Sequence, residues 1–151
     1  MKYYLAYGSN CNITQMVKNR CKTAKLVGVG YLQDFRLTFI RVATVVPHKG
    51  EITPLVIWTI EENDEVALDK YEGTASGLYR KEYMKVKLEN GKEIEGLIYI
   101  LNKDSLDMEP SKYYFETIMQ GYLENNLTVG YLLEAYQRSC KGRVSKEVYF
   151  D

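Results

Sequence analysis

Residues 79–101 hold the feature that most restricts the fold, because two runs of strand-forming residues flank an Asn90-Gly91 turn. A two-residue turn at this site would place apolar side chains opposite charged ones. A three-residue loop, with Gly91 in the left-handed conformation, instead pairs apolar residues with each other and positive charges with negative ones. Register is strongly specified where one face of a strand is buried, so we predict the second arrangement. Its pairs are Lys87 with Glu93, Val86 with Ile94, and Lys85 with Glu95.

This hairpin register also brings two tyrosines together. It places Tyr79 opposite Leu101 and diagonal to Tyr99 on the same face. Aromatic side chains on diagonal positions are long enough to reach each other. We therefore expect Tyr79 and Tyr99 to share one surface.

The remaining patterns predict an α+β fold, with a mostly antiparallel sheet or barrel and a few helices packed outside it. At 151 residues the chain fits one domain, residues 1–151, with about 141–151 as a polar, peripheral tail. The predicted strands outside the hairpin are residues 2–7, 25–33, 35–46 (before Pro47 breaks the pattern) and 54–60. The predicted helices are residues 12–20, a short one from Asn63 that ends on Glu72 before Gly73, and one each after the caps Ser111 and Thr128.

The composition argues against several classes of partner. Twenty basic and twenty acidic residues cancel, so we expect neither nucleic acid nor a membrane surface as a partner. No run approaches a membrane span, and the apolar stretch at residues 3–7 is too short for the core of a signal peptide. We expect a cytoplasmic protein whose three cysteines are unpaired thiols.

The sequence lacks the residues that several kinds of catalytic chemistry require. His48 is the single histidine and no Gly-x-Ser-x-Gly motif occurs, which argues against a histidine-assisted triad. Cysteine and histidine are not clustered, so we expect no metal site. The sequence Gly28-Val29-Gly30 lacks the rest of a dinucleotide fingerprint, and no Walker-type loop is present. We therefore expect no cofactor.

Two candidates for chemistry remain. The loop from Tyr7 to Asn10 follows a predicted strand and leads into a helix, and consecutive N–H groups in such a loop can receive an anion or oxyanion. Glu72 would lie at the negative end of a helix dipole, which together with burial raises the pKa of a carboxyl group. Each has an ordinary alternative: the loop can be a simple turn and Glu72 an exposed, solvated side chain.

Several separated motifs, in register along most of the chain, resemble the gamma-glutamylcyclotransferases. They are YLAYGSN at residues 4–10, LQDFRL at 32–37, LDKYEG at 68–73, SGLY at 76–79, a tyrosine at 99, a tyrosine at 113 after Pro110-Ser111, and GYLENNL at 121–127. The resemblance implies a six-stranded, barrel-like fold in which the loop and a glutamate at a helix end face each other across a cavity. The segment of residues 41–50 is shorter than the equivalent segment in some members of the family. It borders the part of the site where the leaving group would extend.

The resemblance also implies roles for individual residues. Glu72 would be the acid-base residue, for a reaction in which the alpha-amine of a small gamma-glutamyl amino acid or peptide attacks its own gamma-carbonyl and releases 5-oxoproline. The alternatives are a gamma-glutamylamine, a gamma-glutamyl group on a larger carrier, or a non-catalytic module that binds a small ligand. The protein would act as a monomer or homodimer. Residues that would bind the gamma-glutamyl group are Tyr4, Leu5, Ala6, Tyr7, Gly8, Ser9 and Asn10, and those that would line the pocket are Tyr79, Tyr99 and Tyr113.

Overall fold

The computed structural model describes the backbone of residues 1–150 and the side chains of residues 1–141. Its strands are β1 (Lys2–Ala6), β2 (Lys25–Ile40), β3 (Val42–Ile60), β4 (Tyr79–Leu88) and β5 (Glu93–Leu101). Its helices are α1 (Ile13–Asn19), α2 (Glu62–Tyr71), α3 (Lys112–Glu124) and α4 (Val129–Phe150), with a short 3₁₀ turn at Ser9–Cys11. The predicted α+β class is confirmed.

The strands close into a barrel in the order β1-β3-β2-β4-β5. Strand β1 runs antiparallel to β3 and parallel to β5, and the pairing of Tyr3 with Gly96 completes the ring. Gly96 is required there because a Cβ atom at this position would lie 2.6 Å from Cδ2 of Leu5. The short strand β1 is therefore held on both sides, and its C-terminal end is fixed relative to β5.

The barrel has five strands rather than the expected six because β2 and β3 are longer than their sequence patterns indicate. Asp34 adopts a left-handed φ of 63° at a register shift between Gln33 and Phe35, so β2 bends there without ending. Pro47 lies inside β3, opposite Phe35. The predicted break at Pro47 is therefore wrong, since a proline is tolerated where its missing N–H is not needed for the ladder.

The predicted register of the β4–β5 hairpin is confirmed. Lys87 lies opposite Glu93, Val86 opposite Ile94, and Tyr79 opposite Leu101. Gly91 has a φ of 89°, as the three-residue loop requires.

The core lies inside the barrel and beneath the helices that cover it. Residues Leu55 to Trp58 of β3 are all fully buried, although neighbouring side chains of a strand point to opposite faces. Such a continuous apolar run is typical of a strand covered on both sides. This part of β3 therefore belongs to the core of the domain.

The predicted helix ends are largely confirmed. The side chain of Asn12 accepts a hydrogen bond from the N–H of Gln15 and caps α1, and Ser111 caps α3 in the same way. The cap of helix α2 is Glu61, two residues before the predicted cap at Asn63, because Asp64 and Glu61 form a reciprocal capping box. At its other end Glu72 is the capping residue and Gly73 has a φ of 61°.

Within the described residues, no helix is both long enough and apolar enough to cross a membrane. Helix α4 continues to Phe150, beyond the predicted start of the tail. The proposed peripheral character of residues 141–151 concerns side chains that, from residue 142 on, lie outside the described residues.

Candidate active site

One small cavity lies at the C-terminal end of β1, between the barrel and the ends of helices α2 and α3. The cavity volume is about 30 Å³, and the empty space that includes its open mouth is about 320 Å³. The residues that line it are Tyr4, Tyr7, Gly8, Ser9, Asn10, Ala43, Glu72, Tyr79, Tyr99 and Tyr114.

The loop after β1 brings backbone groups to the cavity. A Cβ atom on Gly8 would lie 3.3 Å from Cβ of Ala43 and 3.4 Å from Oη of Tyr114, so a larger residue would narrow the space between two walls. The N–H of Cys11 donates to the carbonyl of Gly8 at 2.9 Å and starts the 3₁₀ turn. The first N–H groups of a helical turn have no partner inside it, and the single backbone N–H of Ser9 has no hydrogen-bond acceptor among the described residues.

Asn10 is the buried polar residue of this loop, with 4% of its surface exposed. Its Nδ2 donates to Oη of Tyr4 at 2.9 Å, and its carbonyl accepts from Nε1 of Trp58 at 3.1 Å. Its Oδ1 is buried and has no hydrogen-bond partner among the described residues. An unsatisfied buried acceptor is costly, and a ligand that carries a donor would satisfy it.

Glu72 faces this loop from the end of α2. Burial raises the pKa of its carboxyl group to about 7, and the positive charge of Arg20 opposes that rise. No hydrogen bond to the carboxylate is found among the described side chains 1–141, so both its oxygens are open to a ligand. A carboxyl group with this pKa exchanges protons readily at neutral pH.

Hydrogen bonds fix the tyrosines that form the cavity walls. Tyr7 Oη donates to the carbonyl of Tyr99 at 2.5 Å, and Tyr79 Oη donates to the carbonyl of Ala43 at 3.0 Å. Tyr114 Oη accepts from the N–H of Ala43 at 3.1 Å. Burial raises the pKa of Tyr7 and Tyr79 far above the usual range. The walls are therefore neutral, and Glu72 is the acidic side chain among the lining residues.

The structure places most of the predicted residues around this cavity. Tyr4, the Tyr7-to-Asn10 loop, Glu72, Tyr79 and Tyr99 all line it. Leu5 and Ala6 do not, because they are buried within β1 and Leu5 packs against Gly96 on the side of β5.

The predicted pocket residue Tyr113 does not line the cavity, and its neighbour Tyr114 does. The side chain of Tyr113 is 81% exposed and lies along a separate surface groove with Asn12 and Thr117, whereas Tyr114 lines the cavity. Adjacent helical residues point about 100° apart, so only one of the two can face inward. The sequence carried the signal, since Tyr114 belongs to the apolar stripe of this helix and Tyr113 does not.

The sequence analysis assigned no role to two further residues at or next to the cavity. Ala43 lines the cavity through its place on β3, opposite Phe39 of β2. Asp69 does not line it but accepts a hydrogen bond from Tyr99. Only the folded barrel brings these positions to the site. Within the described residues, no group of three or more His, Cys, Asp or Glu side chains could hold a metal ion.

Comparison with known proteins identifies relatives over most of the chain. Residues 55–134 match the model of the AIG2-like family. The chain is 32% identical to the gamma-glutamylcyclotransferases of Bos taurus and Homo sapiens, and each match covers 96% of this chain and 84% of the relative. A solved structure of a gamma-glutamyl cyclotransferase superimposes with a TM-score of 0.80 at 29% identity, covering 89% of this chain and 85% of the other.

Proposed function

The chain belongs to the gamma-glutamylcyclotransferase, AIG2-like family and is an enzyme of that type, and on this premise we propose that Glu72 transfers the protons of its reaction. The substrate is a small gamma-glutamyl amino acid or peptide, and the product is 5-oxoproline together with the released amine. The main support is the position of Glu72, whose carboxyl group has a pKa of about 7 and lines the same cavity as the Tyr7-to-Asn10 loop.

The reaction begins with the alpha-ammonium group of the substrate. Glu72 accepts one of its protons, and the free amine attacks the gamma-carbonyl of the same molecule. A carbon–nitrogen bond forms and closes a five-membered ring, while the carbonyl oxygen gains negative charge. Since the substrate supplies its own nucleophile, the enzyme needs neither a catalytic serine nor a histidine.

In this proposal the loop after β1 stabilises that charge. The backbone N–H of Ser9 can donate to the developing oxyanion, and Oδ1 of Asn10 can accept from the ammonium group. Glu72 returns its proton to the amide nitrogen, and the original amide bond breaks as the tetrahedral intermediate collapses. The ring nitrogen then gives its second proton to Glu72, which passes it to the released amine. The carboxyl group thus acts first as base and then as acid, and ends the cycle unprotonated.

The test measures 5-oxoproline after incubation of the purified protein with gamma-glutamyl amino acids, peptides and amines. Glu72→Gln keeps the shape of the side chain but removes the base, and we expect kcat to fall by about 10²- to 10⁴-fold. Glu62→Gln, an exposed change on the same helix, is the matched control. A loss of less than tenfold in Glu72→Gln would contradict the role of Glu72, and a total lack of product from wild-type protein would favour a binding module.

We further propose that the protein works in the cytoplasm on small molecules, as a monomer or homodimer and without nucleic acid or membrane partners. Cys11, Cys21 and Cys140 are free and buried thiols, which is in keeping with a reducing compartment. Burial raises the pKa of Cys11 to about 12, so this thiol, although close to the loop, is not a nucleophile.

A further inference from the structure

Arg20 lies beside the catalytic end of α2, although it does not line the cavity. It is the residue that caps the C-terminus of α1, and its side chain is partly buried. Its guanidinium carbon lies 3.2 Å from the centroid of the Tyr71 ring. Stacking of this kind holds a guanidinium group in one orientation and leaves its edge N–H groups available. Since Tyr71 directly precedes Glu72, the positive charge is fixed next to the proposed acid-base residue.

The charge of Arg20 reaches two walls of the cavity. It opposes the burial that raises the pKa of Glu72 at the end of α2, and it has the same effect on Tyr114 of α3. The residues that line the cavity include no lysine or arginine. Arg20 is therefore the basic side chain that acts on Glu72.

Arg20 is also available to an anion. Among the side chains of residues 1–141, no carboxylate lies within salt-bridge distance of it. Its hydrogen bond is a long one of 3.3 Å from Nη1 to the carbonyl of Asn19. A partly buried guanidinium group with this little pairing is well suited to bind a carboxylate through two parallel hydrogen bonds.

The proposed reaction places a carboxylate near this position. Glu72 must contact the nitrogen of the leaving group in order to return its proton. If the leaving group is an amino acid, its carboxyl carbon is two bonds from that nitrogen. Two carboxylates would then lie close together beside α2, and their repulsion would disfavour binding unless a cation lies between or next to them.

We propose that Arg20 binds the carboxylate of the leaving amino acid and thereby selects gamma-glutamyl amino acids over gamma-glutamylamines. This inference rests on the proposed function and adds the class of leaving group to it. Arg20 is a specificity residue in this scheme, whereas the bond-making steps depend on Glu72 and the loop.

The test compares two substrates that differ only in the carboxylate, gamma-glutamyl-L-alanine and gamma-glutamylethylamine. Wild-type protein, Arg20→Met and Arg20→Lys are assayed for kcat/KM, with release of 5-oxoproline as the readout. We expect the wild type to prefer gamma-glutamyl-L-alanine. We expect Arg20→Met to lower kcat/KM for that substrate by roughly 10- to 100-fold, mainly through KM, and to change the amine substrate by less than about threefold.

Two further variants separate binding from folding. Arg20→Lys keeps the charge but loses the fork of donors, so it should retain an intermediate preference for the carboxylate substrate. Lys18→Met removes an exposed positive charge from the same helix and should leave both substrates unchanged. An equal loss for both substrates in Arg20→Met, or no preference in the wild type, would overturn the assignment to Arg20. If the wild type released 5-oxoproline from neither substrate, the proposed function itself would fail and this inference with it.

Discussion

The hydroxyl of Tyr99 donates a hydrogen bond to Oδ1 of Asp69 at 2.7 Å, and this bond ties strand β5 to helix α2. Lys81 of β4 donates to the other carboxylate oxygen of Asp69 at 3.1 Å. The backbone carbonyl of Tyr99 accepts from the hydroxyl of Tyr7 at 2.5 Å. Tyr99 therefore connects the helix that ends on Glu72 with the loop on the opposite side of the cavity.

Loss of this connection should reduce activity more than stability. Tyr99→Phe removes the donor to Asp69 and should lower the free energy of unfolding by about 1 kcal/mol, the usual net value of one hydrogen bond. Because Glu72 lies one helical turn after Asp69, we expect kcat to fall by about tenfold as its carboxyl group loses its position. Tyr83→Phe on β4 removes the acceptor of a hydrogen bond from Lys2, away from the cavity, so it is the control for the effect of one lost hydrogen bond on kcat. Equal effects of the two variants on kcat would contradict a positioning role for Tyr99.

The tyrosine pair in α3 gives a second test. Tyr114→Phe leaves the N–H of Ala43 without its acceptor and removes a polar group from the cavity, so we expect kcat/KM to fall by about tenfold or more. Tyr113→Phe changes a side chain that is largely exposed, and kcat/KM should stay within about twofold of wild type. Steady-state assays of 5-oxoproline release measure kcat/KM for both variants. The reverse order of effects would place Tyr113 in the site.

How far the sequence predicts this molecule depends on the range of the interactions involved. The β4–β5 register and the helix caps at Asn12 and Ser111 follow from neighbours within a few residues, and all were predictable. The continuity of β3 through Pro47 was not, because it depends on pairing with β2 across the barrel.

The candidate site shows the same division. Glu72 and the loop after β1 have local signals, which the family resemblance brought together. Tyr114 could have been preferred over Tyr113 on helical periodicity alone. Ala43, Asp69 and Arg20 could not have been chosen, because their relation to the cavity exists only once distant segments have packed.

Contact between α3 and the 3₁₀ turn gives a third test, with a matched pair of glycines. A Cβ atom on Gly121 would lie 2.5 Å from the backbone nitrogen of Asn12, so Gly121→Ala must displace either α3 or the turn after the loop. We expect it to lower the free energy of unfolding by roughly 2 kcal/mol or more and to reduce activity. A Cβ atom on Gly130 in α4 would meet no atom of the described residues within 4 Å, so Gly130→Ala should be neutral or stabilising by up to about 1 kcal/mol. Urea unfolding measures both, and a neutral Gly121→Ala would show that this contact relaxes freely.

The raised pKa of Glu72 predicts that removing the proposed catalytic group makes the protein more stable. The unfolded chain releases this proton near pH 4.5 and the folded protein near pH 7, so between these values the folded state binds more protons. The Glu72 contribution to the free energy of unfolding therefore falls as pH rises from about 4.5 to above 7. The tyrosines that face the carboxyl group do not titrate in this window, since burial raises their pKa values. These tyrosines are Tyr4, Tyr7, Tyr79 and Tyr114.

Glu72→Gln has no such dependence, because an amide does not ionise. Relative to wild type it should be stabilised by roughly 1 to 3 kcal/mol at pH 8, with the difference shrinking towards zero near pH 4. Urea unfolding of both proteins at several pH values measures this difference, in which the titration of all other groups cancels. Glu62→Gln, exposed at the opposite end of α2, should give no gain at pH 8. A Glu72→Gln difference that is the same at pH 4 and pH 8 would mean that Glu72 has an ordinary pKa, and its proposed role as a base active at neutral pH would lose its physical basis.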